Sequence, residues 1–447
     1  VNIMTKVDKV NYFKKDKLPS EFNDAHAGLR GYARSNLASS VIFSAGMNPR
    51  LYGYISNFND FFPLQNGYIK KKIILKVSDF RSAVIQGKFL AKKGLWVSEY
   101  RIESGLNCGG HAFATDGYLM GPILAEFRDK RQELIDEIYS VCKSALQTSG
   151  KVVPDNQLSV KITAQGGVAT SEEHNFLIDH YNLDVVGWGT PFLLVPEATT
   201  VDSKTRKQLQ EAKEKDLYLS NISPLGVPFN TLKNSTKDIE KFEKIKEGRP
   251  GSPCPRKFLA LSNEYGTEGV CTASRLFQKN KIEELGMSED ITEKACLCMG
   301  LAATAVINYD VNTRESKGVS ICPGPNMAYF SKELTLSEMA NHIYNDADGV
   351  VRSDRPNMFV NELSMYLKLL SEKIEEHKLS WGRASEKKLT NFADNLNNGI
   401  DYYFEMFNNV DNTFNDIKKS VLDSLDSAMH HMHNMQNDIS DLIKKNH

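Results

Sequence analysis

Three glycine-rich motifs hold the residues of this sequence that are best suited to chemistry. They span 105–111, 164–168 and 187–192 and read Gly-Leu-Asn-Cys-Gly-Gly-His, Ala-Gln-Gly-Gly-Val and Gly-Trp-Gly-Thr-Pro-Phe. Paired glycines let a backbone approach a flat ligand closely, and a histidine beside them is readily poised for proton transfer near neutral pH. A Gly-Gly-His segment is also common as a plain turn, so the first motif alone identifies no site.

The second and third motifs are suited to holding a phosphate. Glycine-rich turns at strand ends expose backbone N–H groups that can cradle an anion, and Thr190 adds a hydroxyl donor to the third motif. The candidate phosphate-binding residues are therefore Gly166, Gly167, Gly189 and Thr190.

The elements around these motifs predict an α/β fold. Short β-branched runs alternate with helical stretches between 70 and 198, which is typical of βαβ units and a parallel sheet. The predicted strands span 40–45, 73–77, 95–101, 160–164 and 184–188, and the predicted helices span 82–93, 119–146 and 171–181. This is the repeat of a (β/α)8 TIM-type barrel, in which a cofactor phosphate commonly lies at the loops after strands seven and eight. The second and third motifs are spaced to be those loops.

The order and spacing of the three motifs resemble the C-terminal half of the nitronate monooxygenase (2-nitropropane dioxygenase) family, which includes flavin-dependent enoyl reductases. The resemblance covers roughly residues 40–198 and implies an FMN-dependent oxidoreductase. It makes His111 the acid or base beside the flavin, places Gly109 and Gly110 near the cofactor, and assigns the phosphate to the four residues after strands seven and eight. Asn107, Cys108 and Pro191 depart from the usual glutamate, alanine and arginine of the family, which leaves the substrate open.

The first strands of such a barrel are not evident. Counting back from the phosphate loops makes 40–45 strand four, and the 38 or so residues before it are too few for three βα units. We therefore expect the barrel to be completed by an upstream segment or by another chain.

Composition excludes several classes of protein. The 447 residues carry 55 Lys and Arg against 56 Asp and Glu, so no basic excess is available for nucleic acid. The most apolar stretch, 295–307, is too short to span a membrane. Seven cysteines without a regular spacing, and no recognisable secretory signal in 1–17, predict a cytoplasmic protein. The resemblance to flavin enzymes implies a small-molecule substrate.

A loop-rich region with five of the cysteines follows the barrel. We expect three parts: a barrel portion over 1–200, a cysteine-containing extension over 201–330, and a helical region over 331–447. Thiols on proline- or glycine-containing turns can ligate zinc or an iron–sulfur cluster, although buried thiols used only for packing are the more common case. No metal site is assigned from sequence, and the question stays open for these five residues: Cys254, Cys271, Cys296, Cys298 and Cys322.

The last 60 residues show a nearly unbroken four-three apolar spacing from Leu389 to Leu442. This pattern predicts one long amphipathic helix or a helical hairpin broken near Gly399, packed either on its own chain or in a coiled coil with another subunit. A homo-oligomer is the expectation. The functional alternatives to a nitronate monooxygenase-like enzyme are a flavin-dependent enoyl thioester reductase and a non-catalytic scaffold built on a degenerate barrel.

Overall fold

A computed structural model describes residues 1–44, 46–309, 311, 318–345, 347, 349–379, 382–410 and 414–446. Ten strands lie in this part of the chain. In chain order they are β1 (Asn2–Met4), β2 (Tyr12–Phe13), β3 (Asp16–Lys17), β4 (Ser39–Ser44), β5 (Lys71–Val77), β6 (Val97–Glu103), β7 (Lys161–Gln165), β8 (Val185–Gly187), β9 (Leu217–Ser220) and β10 (Phe229–Leu232).

Sixteen α-helices lie in the same described part of the chain. They are α1 (Asp24–Ala33), α2 (Pro49–Ile55), α3 (Phe80–Ala91), α4 (Met120–Asp129), α5 (Arg131–Thr148), α6 (Ser171–Tyr181), α7 (Ser203–Glu211), α8 (Thr236–Lys246), α9 (Arg275–Leu285), α10 (Glu289–Thr292), α11 (Leu297–Gly300), α12 (Ala303–Asn308), α13 (Leu336–Asn345), α14 (Met358–Leu379), α15 (Arg383–Asn409) and α16 (Asn415–Asn446).

Six of the strands form one parallel sheet in the order β1-β4-β5-β6-β7-β8. From β4 to β8, strands that are neighbours in the sheet are also consecutive along the chain, as in a (β/α) barrel, and all five predicted strands are confirmed to within two residues at each end. The predicted helix over 119–146 is two helices, because Lys130 leaves the helical conformation between α4 and α5.

The closed eight-stranded barrel is not confirmed. The described residues contain six parallel strands, and β1 and β8 form the two edges of the sheet without pairing with each other. Strand β1 was not predicted. The first 38 residues hold only β1, the β2–β3 hairpin and α1, so two strands fewer than a full barrel are present in this sheet.

The two faces of the sheet differ in character. Leu75, Tyr100 and Ile162 point to the face that is buried in the hydrophobic core with the surrounding helices. The opposite face includes the half-buried polar side chains of Lys76 and Arg101. Because side chains alternate along a strand, these polar residues lie on the face of the sheet opposite the hydrophobic core.

The extension after β8 is built from short elements. The β9–β10 hairpin, which is antiparallel, is followed by helices α8 to α12 and by long loops. The apolar stretch 295–307 forms the short helices α11 and α12. Within the described residues, no helix combines the length and the apolar character that crossing a membrane would require.

The C-terminal region is helical, as predicted, and begins at a capping box in which the Glu338 N–H donates to Thr335 Oγ1 at 3.2 Å and Glu338 accepts from the Thr335 N–H at 2.8 Å. The apolar seam of α15 and α16 is buried in the same hydrophobic core as the sheet. The seam therefore packs on its own chain, and the homo-oligomer stays a prediction.

The predicted break near Gly399 is wrong. Helix α15 runs through Gly399 and ends at Asn409, and the next helix, α16, begins at Asn415. A Cβ at Gly399 would lie 2.6 Å from Leu119 Cδ1, so this glycine permits a close approach of α15 to the start of α4. Its sequence signal reflects packing and not a turn.

Candidate functional site

The three glycine-rich motifs meet at one cavity of about 340 Å³ at the carboxyl ends of β5 to β8. All six residues assigned to the cofactor line it: Gly109, Gly110, Gly166, Gly167, Gly189 and Thr190. The wall is completed by Lys76, Glu103, Asn107, Cys108, Gln165, Val168, Gly187, Trp188, Pro191, Leu193, Cys322 and Asn326. The volume falls in the range of about 300–1,000 Å³ that is usual for small-molecule sites.

The turn after β7 needs both of its glycines. Gly166 and Gly167 have φ of +117° and +88°, a region that favours glycine. A Cβ on Gly166 would lie 2.8 Å from Cys108 Sγ, and one on Gly167 would lie 2.6 Å from Asn107 Nδ2. The first and second motifs are thus in direct contact, and packing alone already requires glycine here.

The turn after β8 is less crowded. A Cβ on Gly189 would have no atom within 4 Å, and its φ of −133° is negative. Thr190 begins a short 3-10 helix, and its Oγ1 accepts a hydrogen bond from the Gly324 N–H at 3.0 Å. One lone pair of the Thr190 hydroxyl is therefore used by the extension.

A loop of the extension also forms the wall beside the first motif. A Cβ on Gly109 would lie 2.5 Å from the Cys322 carbonyl oxygen and 3.0 Å from the Gly324 nitrogen. Gly110 has φ of +80° and open space around it. Residues near 322–326, which the sequence analysis did not connect with this site, are part of its boundary.

Lys76 and Glu103 place one ion pair in the cavity. Lys76 Nζ lies 2.7 Å from Glu103 Oε1, and Gln165 Nε2 donates to the same carboxylate. Both charged residues stand at or next to the carboxyl end of their strands, β5 and β6. Lys76 is the one lysine or arginine among the described residues that line the cavity, which makes it the cation available to an anionic ligand.

His111 is not among the described residues that line the cavity. Its Nε2 lies 2.7 Å from Ser223 Oγ, and its ring makes an edge contact with Phe229 at a centroid distance of 4.9 Å. Burial lowers the pKa of His111, so the imidazole is neutral at pH 7. The backbone explains this orientation, because residues 110–112 pair with the β10 strand through an isolated bridge between His111 and Phe229.

Asn107 and Cys108 are two of the three departures from the pattern of the family that the motifs resemble. Asn107 Nδ2 donates to the Met358 carbonyl at 3.2 Å, and its Oδ1 accepts from Asn361 Nδ2 at 3.1 Å. Burial raises the pKa of the Cys108 thiol well above its usual range. The Cys108 thiol is thus protonated near neutral pH, which does not suit a nucleophile.

A buried ion pair supports the turn after β7. Arg355 Nη1 lies 2.7 Å from Glu173 Oε1, with the two side chains 5% and 2% exposed. Arg355 Nη2 also donates to the Gly167 carbonyl at 2.6 Å, and Glu173 accepts from the Ala169 N–H at 2.9 Å. The sequence analysis missed both residues. They are 182 positions apart, and no local pattern connects them.

A second buried acid stands behind the first motif. Glu362 of α14 accepts hydrogen bonds from Ser104 Oγ at 2.6 Å and from the Met120 N–H at 2.8 Å. Burial raises its pKa from 4.5 to about 7. Helix α14 therefore reaches the end of β6 and the start of α4 through polar contacts.

Comparison with known proteins gives little further guidance. No protein-family model matches the chain, and no curated protein matches it. Among solved structures, the chain is similar to the enoyl reductase domain of MlnA from the macrolactin biosynthesis cluster of Bacillus amyloliquefaciens, with 14% identity over 81% of this chain and 77% of that chain and a TM-score of 0.33. A similarity this low assigns no function to the chain.

Proposed function

We propose that this chain is an FMN-dependent oxidoreductase whose cofactor binds in the cavity at the ends of β5 to β8. The observation that carries the proposal is the convergence of three separate glycine-rich turns on one cavity of suitable size. Parallel-sheet proteins place ligands at this edge, where the strands end and the loops begin. Nitronate oxidation is the leading reaction because of the motif resemblance, and reduction of an enoyl thioester is the alternative.

The donors available in the turns suit a phosphate. Among the described residues, the backbone N–H groups of Gly166, Gly167 and Gly189 make no hydrogen bond to another protein group. The Thr190 hydroxyl can still donate, since the Gly324 N–H uses it only as an acceptor. The carboxylate of Glu173, by contrast, already uses the Ala169 N–H, so an anion would bind at the turn itself and not at the start of α6.

Charge balance also fits a bound cofactor. Lys76 faces the cavity and can turn toward a phosphate or toward an electron-rich ring, and Glu103 offsets its charge when no anion is present. Arg355 is already committed to Glu173, Asn326 and the Gly167 carbonyl, and holds the turn rather than the ligand. FMN bound here would supply the two-electron chemistry, while the protein positions the substrate and handles the proton.

His111 as proton donor or acceptor stays a prediction. For a proton to pass between His111 and a substrate in the cavity, the imidazole must leave Ser223 or the proton must travel through that hydroxyl. The neutral imidazole could accept a proton at pH 7. A role for the histidine therefore requires either a local rearrangement of the 110–112 segment or a proton relay through Ser223.

The test is titration of the full chain with FMN, followed by the quenching of flavin fluorescence. Gly189→Val should weaken binding at least tenfold, because its side chain would enter space that is open next to the turn. Gly31→Val is the matched control, since Gly31 also has no atom within 4 Å of a built Cβ but is exposed on α1, away from the cavity. It should bind FMN as the unaltered chain does.

Two results would overturn the proposal. One is a colourless chain that binds no FMN on reconstitution, which would favour the scaffold hypothesis. The other is equal FMN affinity in Gly189→Val and Gly31→Val, which would move the cofactor away from this turn. If FMN binds as expected, oxygen uptake with an alkyl nitronate and NADH oxidation with an enoyl thioester separate the two reactions.

A further inference from the structure

A second cavity of about 330 Å³, which we call the Lys6 cavity, lies at the carboxyl end of β1. It is enclosed by the end of that strand, by Phe113 after the first motif, and by parts of the extension between 224 and 272. Seven of the ten described residues that line it are apolar, among them Leu225, Val227 and Leu259. The Lys6 cavity therefore has the size and the wall of a site for a small apolar molecule.

Lys6 is the one charged residue among the described residues that line this cavity. Its Nζ lies 5.1 Å from the centroid of the Phe113 ring, and its stem lies against Gly46, where a Cβ would collide with Lys6 Cε. In the described part of the chain Lys6 makes no ion pair. Asp8, two residues later, is already paired with His26 Nδ1 at 2.7 Å. The cavity thus holds a cation that no carboxylate of the chain neutralises.

Backbone hydrogen bonds hold the part of the wall that the extension supplies. The Ser262 N–H donates to the Val270 carbonyl at 3.1 Å, and the Val270 N–H donates back to the Ser262 carbonyl at 2.7 Å. Thr272 Oγ1 lies 3.5 Å from the Pro224 carbonyl oxygen, which brings this pairing against the loop between β9 and β10. The wall is therefore formed without a ligand, as is usual for small-molecule sites.

The Lys6 cavity shares one segment with the candidate cofactor cavity. The Ala112 N–H donates to the Pro228 carbonyl at 2.9 Å, so the chain after the first motif pairs with the extension. Phe113 and Val227, which flank these two residues, line the Lys6 cavity, whereas Gly110 lines the cofactor cavity. The two cavities are thus bounded by opposite ends of the same paired segment.

We propose that the Lys6 cavity binds a small apolar carboxylate, with the hydrocarbon tail against the apolar wall and the carboxylate beside Lys6. Removing the tail from water favours binding, and the lone cation selects an anionic head group over a neutral one. A single lysine balances one negative charge, which suits a carboxylate better than a dianionic phosphate. This ligand site is separate from the proposed FMN site, and it stands whether or not flavin binds.

The experiment is calorimetric titration of the full, flavin-free chain with butyrate, hexanoate and octanoate. Burying one methylene is worth about fourfold in affinity, so each step of two methylenes should tighten binding roughly tenfold until the cavity is full. Octanamide has the same tail and a neutral head group. It should bind about threefold to fivefold more weakly than octanoate, a modest factor because Lys6 is exposed and solvent screens its charge.

Lys6→Met tests the head group. Methionine keeps an unbranched side chain without the charge, so this variant should bind octanoate and octanamide with equal affinity. Lys93→Met is the matched control, because Lys93 Nζ also lies over a phenylalanine ring, 5.3 Å from the Phe89 centroid, but does not line the cavity. It should keep the preference of the unaltered chain for octanoate.

Leu261→Trp tests the tail. Leu261 is 39% exposed at the rim, so a larger side chain there should enter the cavity and lower octanoate affinity at least tenfold without disturbing the core. Leu276→Trp is the control, because Leu276 is 56% exposed on α9 and does not line the cavity. It should bind octanoate as the unaltered chain does.

Four results would overturn the proposal. They are a chain without saturable octanoate binding, equal affinity for octanoate and octanamide in the unaltered chain, a preference for octanoate that persists in Lys6→Met, and equal octanoate affinity in Leu261→Trp and Leu276→Trp. A chain that binds octanoate at one site but no FMN would refute the proposed function alone. A chain that binds FMN but no octanoate would refute the Lys6 site alone.

Discussion

Glu362→Gln should remove a pH dependence of folding stability that this single buried group produces. The Glu362 carboxyl is 2% exposed on α14, and burial raises its pKa from 4.5 to about 7 despite hydrogen bonds from Ser104 and the Met120 N–H. Between pH 4.5 and about 7 the folded chain holds a proton on Glu362 that the unfolded chain has lost. The free energy of unfolding therefore falls as pH rises through this window, and the contribution of Glu362 stays constant above it.

The size of the effect follows from the pKa difference. A difference of one in pKa is worth about 1.4 kcal/mol, so the rise from 4.5 to about 7 corresponds to roughly 3 kcal/mol. Glutamine is neutral at every pH and matches the carboxylic acid in shape. Its amide oxygen can accept from the Met120 N–H, and its NH₂ can donate to Ser104 Oγ. The variant should therefore be close to the unaltered chain in stability at pH 5 and more stable by about 3 kcal/mol at pH 8.

Urea unfolding at pH 5 and pH 8 measures this difference. Glu376→Gln is the control, because Glu376 is exposed on the same helix, and it should follow the unaltered chain at both values of pH. The reasoning would be refuted if Glu362→Gln differed from the unaltered chain by the same free energy at pH 5 and pH 8. A constant offset would mean that Glu362 does not change protonation in this window.

Three further results are expected from single substitutions. Arg355→Met should destabilise the fold by about 3–5 kcal/mol because it leaves Glu173 buried without its partner, and adding Glu173→Gln should restore part of the loss in chemical denaturation. His111→Ala should keep FMN but lower turnover by about 10²-fold, and unchanged turnover would make the histidine purely structural. Leu425→Ala, in the α16 seam at 0% exposed, should cost about 2–5 kcal/mol without changing the sedimentation coefficient, whereas a shift in assembly state would show that the seam contacts another chain.

Local periodicity accounts for the part of the fold that sequence could predict. Strands β5 and β7 and helix α6 have runs long or regular enough to be recognised, and the glycine turns mark where the strands end. Strand β1 has three residues and no such signal. Barrel closure could not be predicted, because it depends on whether distant edge strands pair with each other. Local sequence patterns carry no information about that pairing.

The candidate site, like the fold, could be predicted from sequence only where a local pattern marks it. The turns were found because glycine in a left-handed conformation leaves a mark in the sequence, as at Gly167. The orientation of His111 was not, because it depends on Ser223 and Phe229, more than a hundred residues later. Lys76 lies near the end of the predicted strand 73–77, but its partner Glu103 lies on the next strand, and only the register of β5 and β6 brings the two together.

Two buried glutamates, Glu173 and Glu362, lie behind the wall of the same cavity. The free-energy cost of burying their carboxyl groups indicates that they have a role there. Removing a carboxylate from water is expensive, and apolar side chains of similar volume would often be as stable. Glu173 holds Arg355 against the Gly167 carbonyl, while Glu362 holds Ser104 at the end of β6. Each thus fixes the backbone of one turn in the cavity wall. We infer that the two glutamates position these turns, because a preorganised binding site requires supporting contacts behind the residues that line it.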